Sequence, residues 1–253
     1  MTLPVRAAWY KRTYGKDLRD IPVIINNRNR LSYMLELIAW LERAEMRNII
    51  ILDNDSTYPP LLEYYAQTKY EVVRLGENIG HLALLKPGIF DRFKDDFFIY
   101  TDPDVLPTDE CPLNCIEVIF DILIRNDVDK VGFNLRIDDL PDHYCLKQEV
   151  VEKNQGFWRA DLGRWSKKHS CKVFDALIDS TFALYRPGLD QLRGGWDPWY
   201  NLRCLRTGFP YTARHLPWYE NTSRLSEEEM YYADHASSLS TWITKLKNAQ
   251  SVT

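Results

Sequence analysis

Four times in its first 106 residues the chain runs through a few β-branched or aromatic residues and stops on a polar or acidic cluster. Ile21–Ile25 halts at Asn26-Asn27-Arg28-Asn29-Arg30, and Asn48–Leu52 at Asp53-Asn54-Asp55-Ser56. Tyr70–Leu75 halts at Gly76-Glu77-Asn78-Ile79-Gly80, and Phe97–Thr101 at Asp102-Pro103-Asp104. Apolar runs without alternation mark strands buried on both faces. Between them, Leu31–Ala44 places Leu31, Met34, Leu35, Ile38 and Leu41 on one helical stripe; Pro60–Gln67 and Leu82–Phe93 also carry helical patterns. Strands that alternate with helices build right-handed βαβ units and a parallel sheet. The spacing therefore predicts an α/β, Rossmann-like chain with a mostly parallel central sheet flanked by helices. All four polar exits fall on one sheet edge, which is where ligands bind in such folds.

After Pro107 the spacing predicts a helix over Pro112–Arg125 and a strand over Lys130–Ile137. Asp138–Ser170 reads as a long irregular stretch of aromatic and charged residues, the signature of a lid or binding loop. Thr181–Tyr185 reads as a strand, Pro198–Arg206 as a helix closed by Gly208 in a left-handed cap, and Phe209–Ala213 as a strand that ends at His215. Ser226–Leu246 reads as one or two helices, with Ser226 and Glu229 as a capping box. Neither repeats nor a low-complexity linker interrupt the 253 residues, so we expect one domain: a nucleotide-binding half over about 21–110, an acceptor half over about 111–220 and a helical tail over 221–253.

A hydrophobic content of 45% suffices for a core, and a net charge of −4 argues against nucleic acid as the partner. The first twenty residues lack the apolar region of a signal peptide, and no apolar run is long enough for a transmembrane helix. The expectation is a cytoplasmic chain, with or without peripheral contact to a membrane. Its five cysteines include no Cys-x-x-Cys pair and no zinc-type spacing, which fits reduced, structural thiols.

Asp102 and Asp104 flank Pro103, whose ring stiffens the turn. Paired carboxylates at a strand exit suit Mg2+ or Mn2+, with phosphate oxygens completing the shell. The pattern alone does not decide, because Asp53-Asn54-Asp55 and Asp127-Val128-Asp129 repeat it and an Asx turn explains it as well.

Taken together, the strand with Asn26-Asn27-Arg28-Asn29-Arg30, then Asp53-Asn54-Asp55-Ser56, Asn78-Ile79-Gly80 and Asp102-Pro103-Asp104, resembles the GT-A glycosyltransferases, most closely the family 2 type. Asn26 and Arg28 stand where that family usually has proline and tyrosine. Asp197, Gly208 and His215 match its later acid, glycine and histidine, although Trp196 replaces the usual glutamate. The resemblance spans about residues 21 to 216. It implies a GT-A fold and a metal-dependent, inverting transfer of a sugar, as in polysaccharide or glycoconjugate synthesis. The donor would be a UDP- or GDP-type nucleotide sugar and the acceptor a glycan or a lipid-linked sugar. The nucleotide would meet Asn27, Arg28, Asp53, Asn78, Gly80, His81, Lys86 and Asp102. The cation, Mn2+ or Mg2+, would sit on Asp104 with Asp102 and His215. Asp197 would be the general base, with Asp179 and Asp139 (beside Asp138) as rivals; Trp158, Trp165, Trp196 and Trp199 would offer sugar-stacking surfaces. A sugar nucleotidyltransferase is the alternative enzyme, but its usual glycine-rich first loop is missing from Asn26–Arg30. A catalytically degenerate carbohydrate-binding member is the alternative without catalysis.

Overall fold

The computed structural model describes residue 12 and residues 15–159, 163–179, 181–189 and 198–236. Strands β1 (Val23–Asn27), β2 (Ile49–Asp53), β3 (Glu71–Arg74) and β4 (Phe98–Thr101) appear within one or two residues of the predicted runs. They pair in parallel in the order β3-β2-β1-β4, with Asn27 level with Asp53 and Ile25 level with Thr101. The four polar exits consequently share one edge.

The second half adds β5 (Val105–Pro107), β6 (Lys130–Leu135), β7 (Gly163–Ser166), β8 (Cys171–Phe174), β9 (Ala183–Tyr185) and β10 (Cys204–His215). The sheet runs β3-β2-β1-β4-β9-β6-β10-β8-β7, and β5 pairs with the end of β10. From β3 to β10 only β9 is reversed. The expected mixed α/β architecture, mostly parallel at its centre and flanked by helices, is the one found.

Helices α1 (Ser32–Arg43), α2 (Pro59–Gln67), α3 (Cys115–Arg125), α4 (Lys147–Asn154) and α5 (Glu227–His235) accompany the sheet. On α1, Met34, Leu37, Ile38 and Leu41 form the buried stripe, and on α3 Ile116, Ile119, Phe120 and Leu123 do the same. Both pack on the face made by Val23, Ile25, Ile99, Val131 and Leu184. The alternate residues Ile24, Ile50, Phe98, Tyr100 and Tyr185 build the second face. Burying a side chain of this size contributes about 1.5–3 kcal/mol, so both faces drive assembly of the sheet.

That second face carries no long helix among the described residues, which corrects one expectation. Leu82–Phe93 forms two short 3-10 turns, Gly80–Leu85 and Phe90–Arg92, because Pro87-Gly88 breaks the run. The predicted helix over Pro198–Arg206 is likewise a 3-10 turn, Pro198–Asn201, followed by β10. Gly208 lies inside β10 and does not cap a helix. A Cβ there would stand 3.0 Å from the Phe174 ring, so glycine permits close strand packing. The stretch Asp138–Ser170 is not a free loop, since it holds α4, a 3-10 turn and β7. Strands β5 and β8 had no sequence forecast. Ser226 does accept from the Glu229 amide at 3.1 Å to start α5; the tail beyond Ala236 lies outside the described residues.

Candidate functional site

Two distant segments meet at the exit edge. β4 leaves the sheet through Asp102-Pro103-Asp104 and returns as β5, which pairs with the end of β10 so that Val105 is level with His215. The Leu216 amide donates to the Asp104 carbonyl at 2.8 Å and pins the two chains together. His215 Nε2 thereby lies 3.7 Å from Asp104 Oδ1. Asp104 Oδ1 and His215 Nδ1 are both buried without a hydrogen-bond partner. Burial pushes the imidazole below its ordinary pKa; Asp104 pulls it back, Arg30 lowers it further and Asp179 opposes that. The ring is therefore neutral at pH 7, with one nitrogen carrying the proton and the other a lone pair.

The residues around this pair come from α1, the tail and the strand ends. The Trp218 ring stacks at a tilt 4.8 Å from His215. Tyr33 donates to Glu220 at 2.7 Å, and burial, that bond and the nearby Asp104 charge hold its hydroxyl protonated. Arg30 is buried in an ion pair with Glu229 of α5, with the Tyr232 ring 3.7 Å from its guanidinium. Glu228 of α5 accepts from the Leu31 and Ser32 amides at 2.9 and 3.0 Å and from the Ser32 hydroxyl at 2.9 Å, so the tail caps α1. Arg30, Tyr33, Trp218 and the α5 acids were absent from the sequence-based site. Arg30 alone left a signal, as a matching residue of the first exit loop.

Asp179 follows a segment held from below by two buried cations. Lys130 Nζ donates to the carbonyls of Ile178 (2.6 Å) and Asp179 (3.1 Å), and Arg206 Nε donates to Leu177 (2.7 Å). The Asp179 side chain is exposed, and its charge reaches His215. Asp139 is engaged elsewhere: Arg214 and Tyr219 bond its two oxygens at 2.7 and 2.5 Å. Although burial opposes it, those bonds hold Asp139 below the usual carboxylate range, which makes it a weak base. Asp138 is bound to Arg136 on the surface. Asp197 and Trp196 lie outside the described residues.

The expected nucleotide-binding residues divide into two groups. Asn78, Gly80, His81 and Asp102 lie on exit segments with exposed or half-buried side chains or backbone. Asn78 Oδ1 accepts from the Gly80 amide at 3.1 Å, and Gly80 takes a positive φ of 61°. The Gly80 carbonyl is held by Asn54 at 2.9 Å and Asn26 at 3.3 Å, which gives the unusual Asn26 a structural task. Asp102 acts on Tyr100 and Tyr185, whose hydroxyls burial raises first, whereas Asp104 acts on Tyr33 and His215. The other group has its polar atoms engaged within the protein. Asn27 is fully buried and bonds Tyr65 at 2.9 Å. Asp53, also fully buried, pairs with Arg74 at 2.9 Å and accepts from the Ser56 amide. Arg28 donates to the carbonyls of Asn54 and Asp55, and Lys86 turns back to the Leu75 carbonyl and to Glu77. Arg28 and Asp53 thus fasten one strand exit to the next, Asn27 ties β1 to α2, and Lys86 holds the third exit loop.

Among the described residues no group of three or more His, Cys, Asp or Glu is arranged to hold a metal ion. Asp104 and His215 do fit a two-ligand seat. Their donor atoms are 3.7 Å apart, within reach of one small cation with bonds of about 2.1 Å, and Asp104 Oδ1 is otherwise unsatisfied.

No protein-family model and no curated protein matches the chain. Among solved structures it is similar to S. aureus TarS 1-349, at 12% identity and a TM-score of 0.45. It is also similar to glucosyl-3-phosphoglycerate synthase from Mycobacterium tuberculosis in complex with phosphoglyceric acid, at 14% identity and a TM-score of 0.40. The alignments cover 77% and 75% of this chain and span 60% and 62% of those chains. No helix of the described residues is long and apolar enough to cross a membrane.

Proposed function

We propose that the chain is a GT-A-type glycosyltransferase that moves a sugar from a UDP- or GDP-type nucleotide sugar to a glycan or lipid-linked acceptor, with inversion. The observation that carries this reading is the convergence of Asp104 and His215 at the strand-exit edge, where Asp104 Oδ1, buried and left unpaired, lies 3.7 Å from His215 Nε2. Leaving such an atom unsatisfied costs about 1–3 kcal/mol, which a bound ligand would recover. Asp104 and neutral His215 would hold Mn2+ or Mg2+, and that cation would neutralise the charge of the departing diphosphate. Gly80 and Asn78, whose loop Asn54 clamps, would present backbone to the nucleotide, with Asp102 toward its ribose. The acceptor hydroxyl needs a base, for which Asp179 and Asp197 are the candidates.

The test is thermal unfolding with UDP, GDP, CDP or dTDP, each with Mn2+ or with EDTA. A nucleotide at one hundred times its Kd stabilises by about 2.7 kcal/mol, or roughly 5–10 °C for a chain of this size. We expect a metal-dependent rise with one nucleotide that is lost in Asp104→Asn, whose ligand-free Tm stays put. Equal shifts with and without EDTA would overturn the metal assignment. In the same preparations, Asp179→Asn or Asp197→Asn should lower turnover by about 10² to 10⁴ without weakening nucleotide binding, and the one that does is the base.

A further inference from the structure

Helix α1 starts without a cap of its own: Leu31, at the N-cap position, makes no side-chain hydrogen bond, and no acid stands in the first turn. A twelve-residue helix that begins this way leaves backbone N–H groups and the positive end of its dipole to be met from elsewhere. They are met by α5, 197 positions away, where Glu228 accepts from the Leu31 and Ser32 amides and from the Ser32 hydroxyl. The neighbouring Glu229 pairs with Arg30, the residue just before that N-cap. Two successive carboxylates therefore fill a seat made of two amides, a hydroxyl and a guanidinium, a donor set that suits phosphate oxygens. They do not use all of it. Arg30, with 5% of its side chain exposed, keeps Nε buried without a hydrogen-bond partner.

The occupant is held in a way that lets it exchange. Ala233 is the one buried apolar residue of α5, and the remaining attachments are Tyr231, tilted on the Tyr58 ring at 4.9 Å and donating to the Thr57 carbonyl at 3.0 Å, and Tyr232, stacked under Arg30. Docking thus rests mainly on charge, which a ligand of higher charge can displace. The seat adjoins the Asp104–His215 pair, because the charge of Arg30 reaches His215 and the Tyr33 ring lies 5.1 Å from the guanidinium. We propose that α5 is an intrachain plug: Glu228 and Glu229 occupy a seat for a diphosphate group, which displaces them by taking over Arg30, the Ser32 hydroxyl and the Leu31 and Ser32 amides. The two carboxylates stand in for its two phosphoryl groups. No metal ion enters this contact, so the inference does not rest on the reaction proposed for Asp104 and His215.

Amide hydrogen exchange of the full chain in EDTA tests it, with inorganic pyrophosphate or with sodium chloride at equal ionic strength. We expect pyrophosphate, and not chloride, to speed exchange along α5 while Leu31 and Ser32 stay slow, since phosphate oxygens replace Glu228 on their amides. The same measurement with UDP and GDP names the source: acceleration marks a nucleotide, and acceleration by pyrophosphate alone marks a diphosphate-linked acceptor. In calorimetric titrations, Glu228→Gln/Glu229→Gln should bind pyrophosphate about tenfold more tightly than wild type, because a hydrogen bond to a charged competitor is worth at least that factor. Adding Arg30→Met should remove the binding. Equal α5 exchange in pyrophosphate and chloride, or Leu31 and Ser32 released together with α5, would overturn the proposal, and this wild-type measurement decides the matter even where the variants fail to fold. Equal affinity of wild type and the double glutamine variant, or binding that survives Arg30→Met, would overturn it as well. Binding seen only without EDTA belongs to Asp104 and His215: it would sink the plug and leave the metal-dependent reading standing.

Discussion

Replacing Glu229 by alanine tests how the tail is tied to the site. Only 5% of the Arg30 side chain and 8% of the Glu229 side chain are exposed, so the substitution strands a guanidinium among Tyr232, Tyr33 and the α1 terminus. Removing one partner of a buried pair typically costs about 3–5 kcal/mol, because the remaining charge stays desolvated. For a chain of this size that corresponds to a fall in Tm of roughly 6–20 °C if everything unfolds together. α5 has a cheaper escape. It buries only Glu228, Glu229 and Ala233, so it can undock, let water reach Arg30 and confine the loss to its own docking energy. Undocking also removes Glu228 from the Leu31 and Ser32 amides, which are then free to exchange. Thermal unfolding combined with amide hydrogen exchange separates the routes: a large Tm drop marks the first, and fast exchange at Leu31 and Ser32 with a small drop marks the second. Arg30→Met with Glu229→Met, which leaves no buried charge, should be milder than Glu229→Ala alone. A Glu229→Ala protein with wild-type Tm and unchanged protection at both amides would refute the reasoning.

Because burial lowers the His215 pKa in the folded chain, the unfolded chain binds more protons there, and stability must fall as pH drops below the ordinary value of about 6.5. Thermal unfolding from pH 7.5 to 5.5 should therefore show a steeper loss in wild type than in His215→Gln, and parallel slopes would contradict the assignment. Glycine is needed at position 132 far more than at 208: an added Cβ would stand 2.4 Å from the Phe182 carbonyl in the first case and 3.0 Å from a ring carbon of Phe174 in the second. Gly132→Ala should cost about 3 kcal/mol and Gly208→Ala about 1, read from denaturant midpoints; the reverse order would show that β9 yields more readily than the Phe174 ring.

The parallel half of the sheet was legible because its strands are buried on both faces. Such runs carry no competing helical period, and their polar exits stand out against them. Leu82–Phe93 was misjudged for a related reason: its apolar residues meet the second sheet face through 3-10 turns, and apolar spacing does not distinguish an α-helix from a chain broken at Pro87-Gly88. β8 was hidden because Cys171–Phe174 is too short and too mixed to separate from its surroundings, and β5 because three residues give no period at all. Gly208 misled the helix assignment by position, since close approach to Phe174 and a left-handed cap leave the same letter in the sequence.

At the site, the motifs located the edge but not the direction of each side chain along it. Asn27 and Asp53 end neighbouring strands at the same level, as predicted, yet both are turned into the protein, where Tyr65, Ser56 and Arg74 use their polar atoms. Asp104 and His215 are 111 positions apart in the chain, and only the pairing of β5 with β10 makes them neighbours. The acids of α5 were the least legible. Ser226 and Glu229 have the spacing of a capping box, and Ser226 does cap the helix, but the Glu229 carboxylate leaves its own helix for Arg30. A local motif was satisfied on one side only because a buried cation, invisible in a local window, offered the second carboxylate a stronger partner than a backbone amide. The tail therefore belongs to the site's electrostatics: Glu229 pairs with Arg30, and that guanidinium lies close enough to His215 to lower the imidazole's pKa.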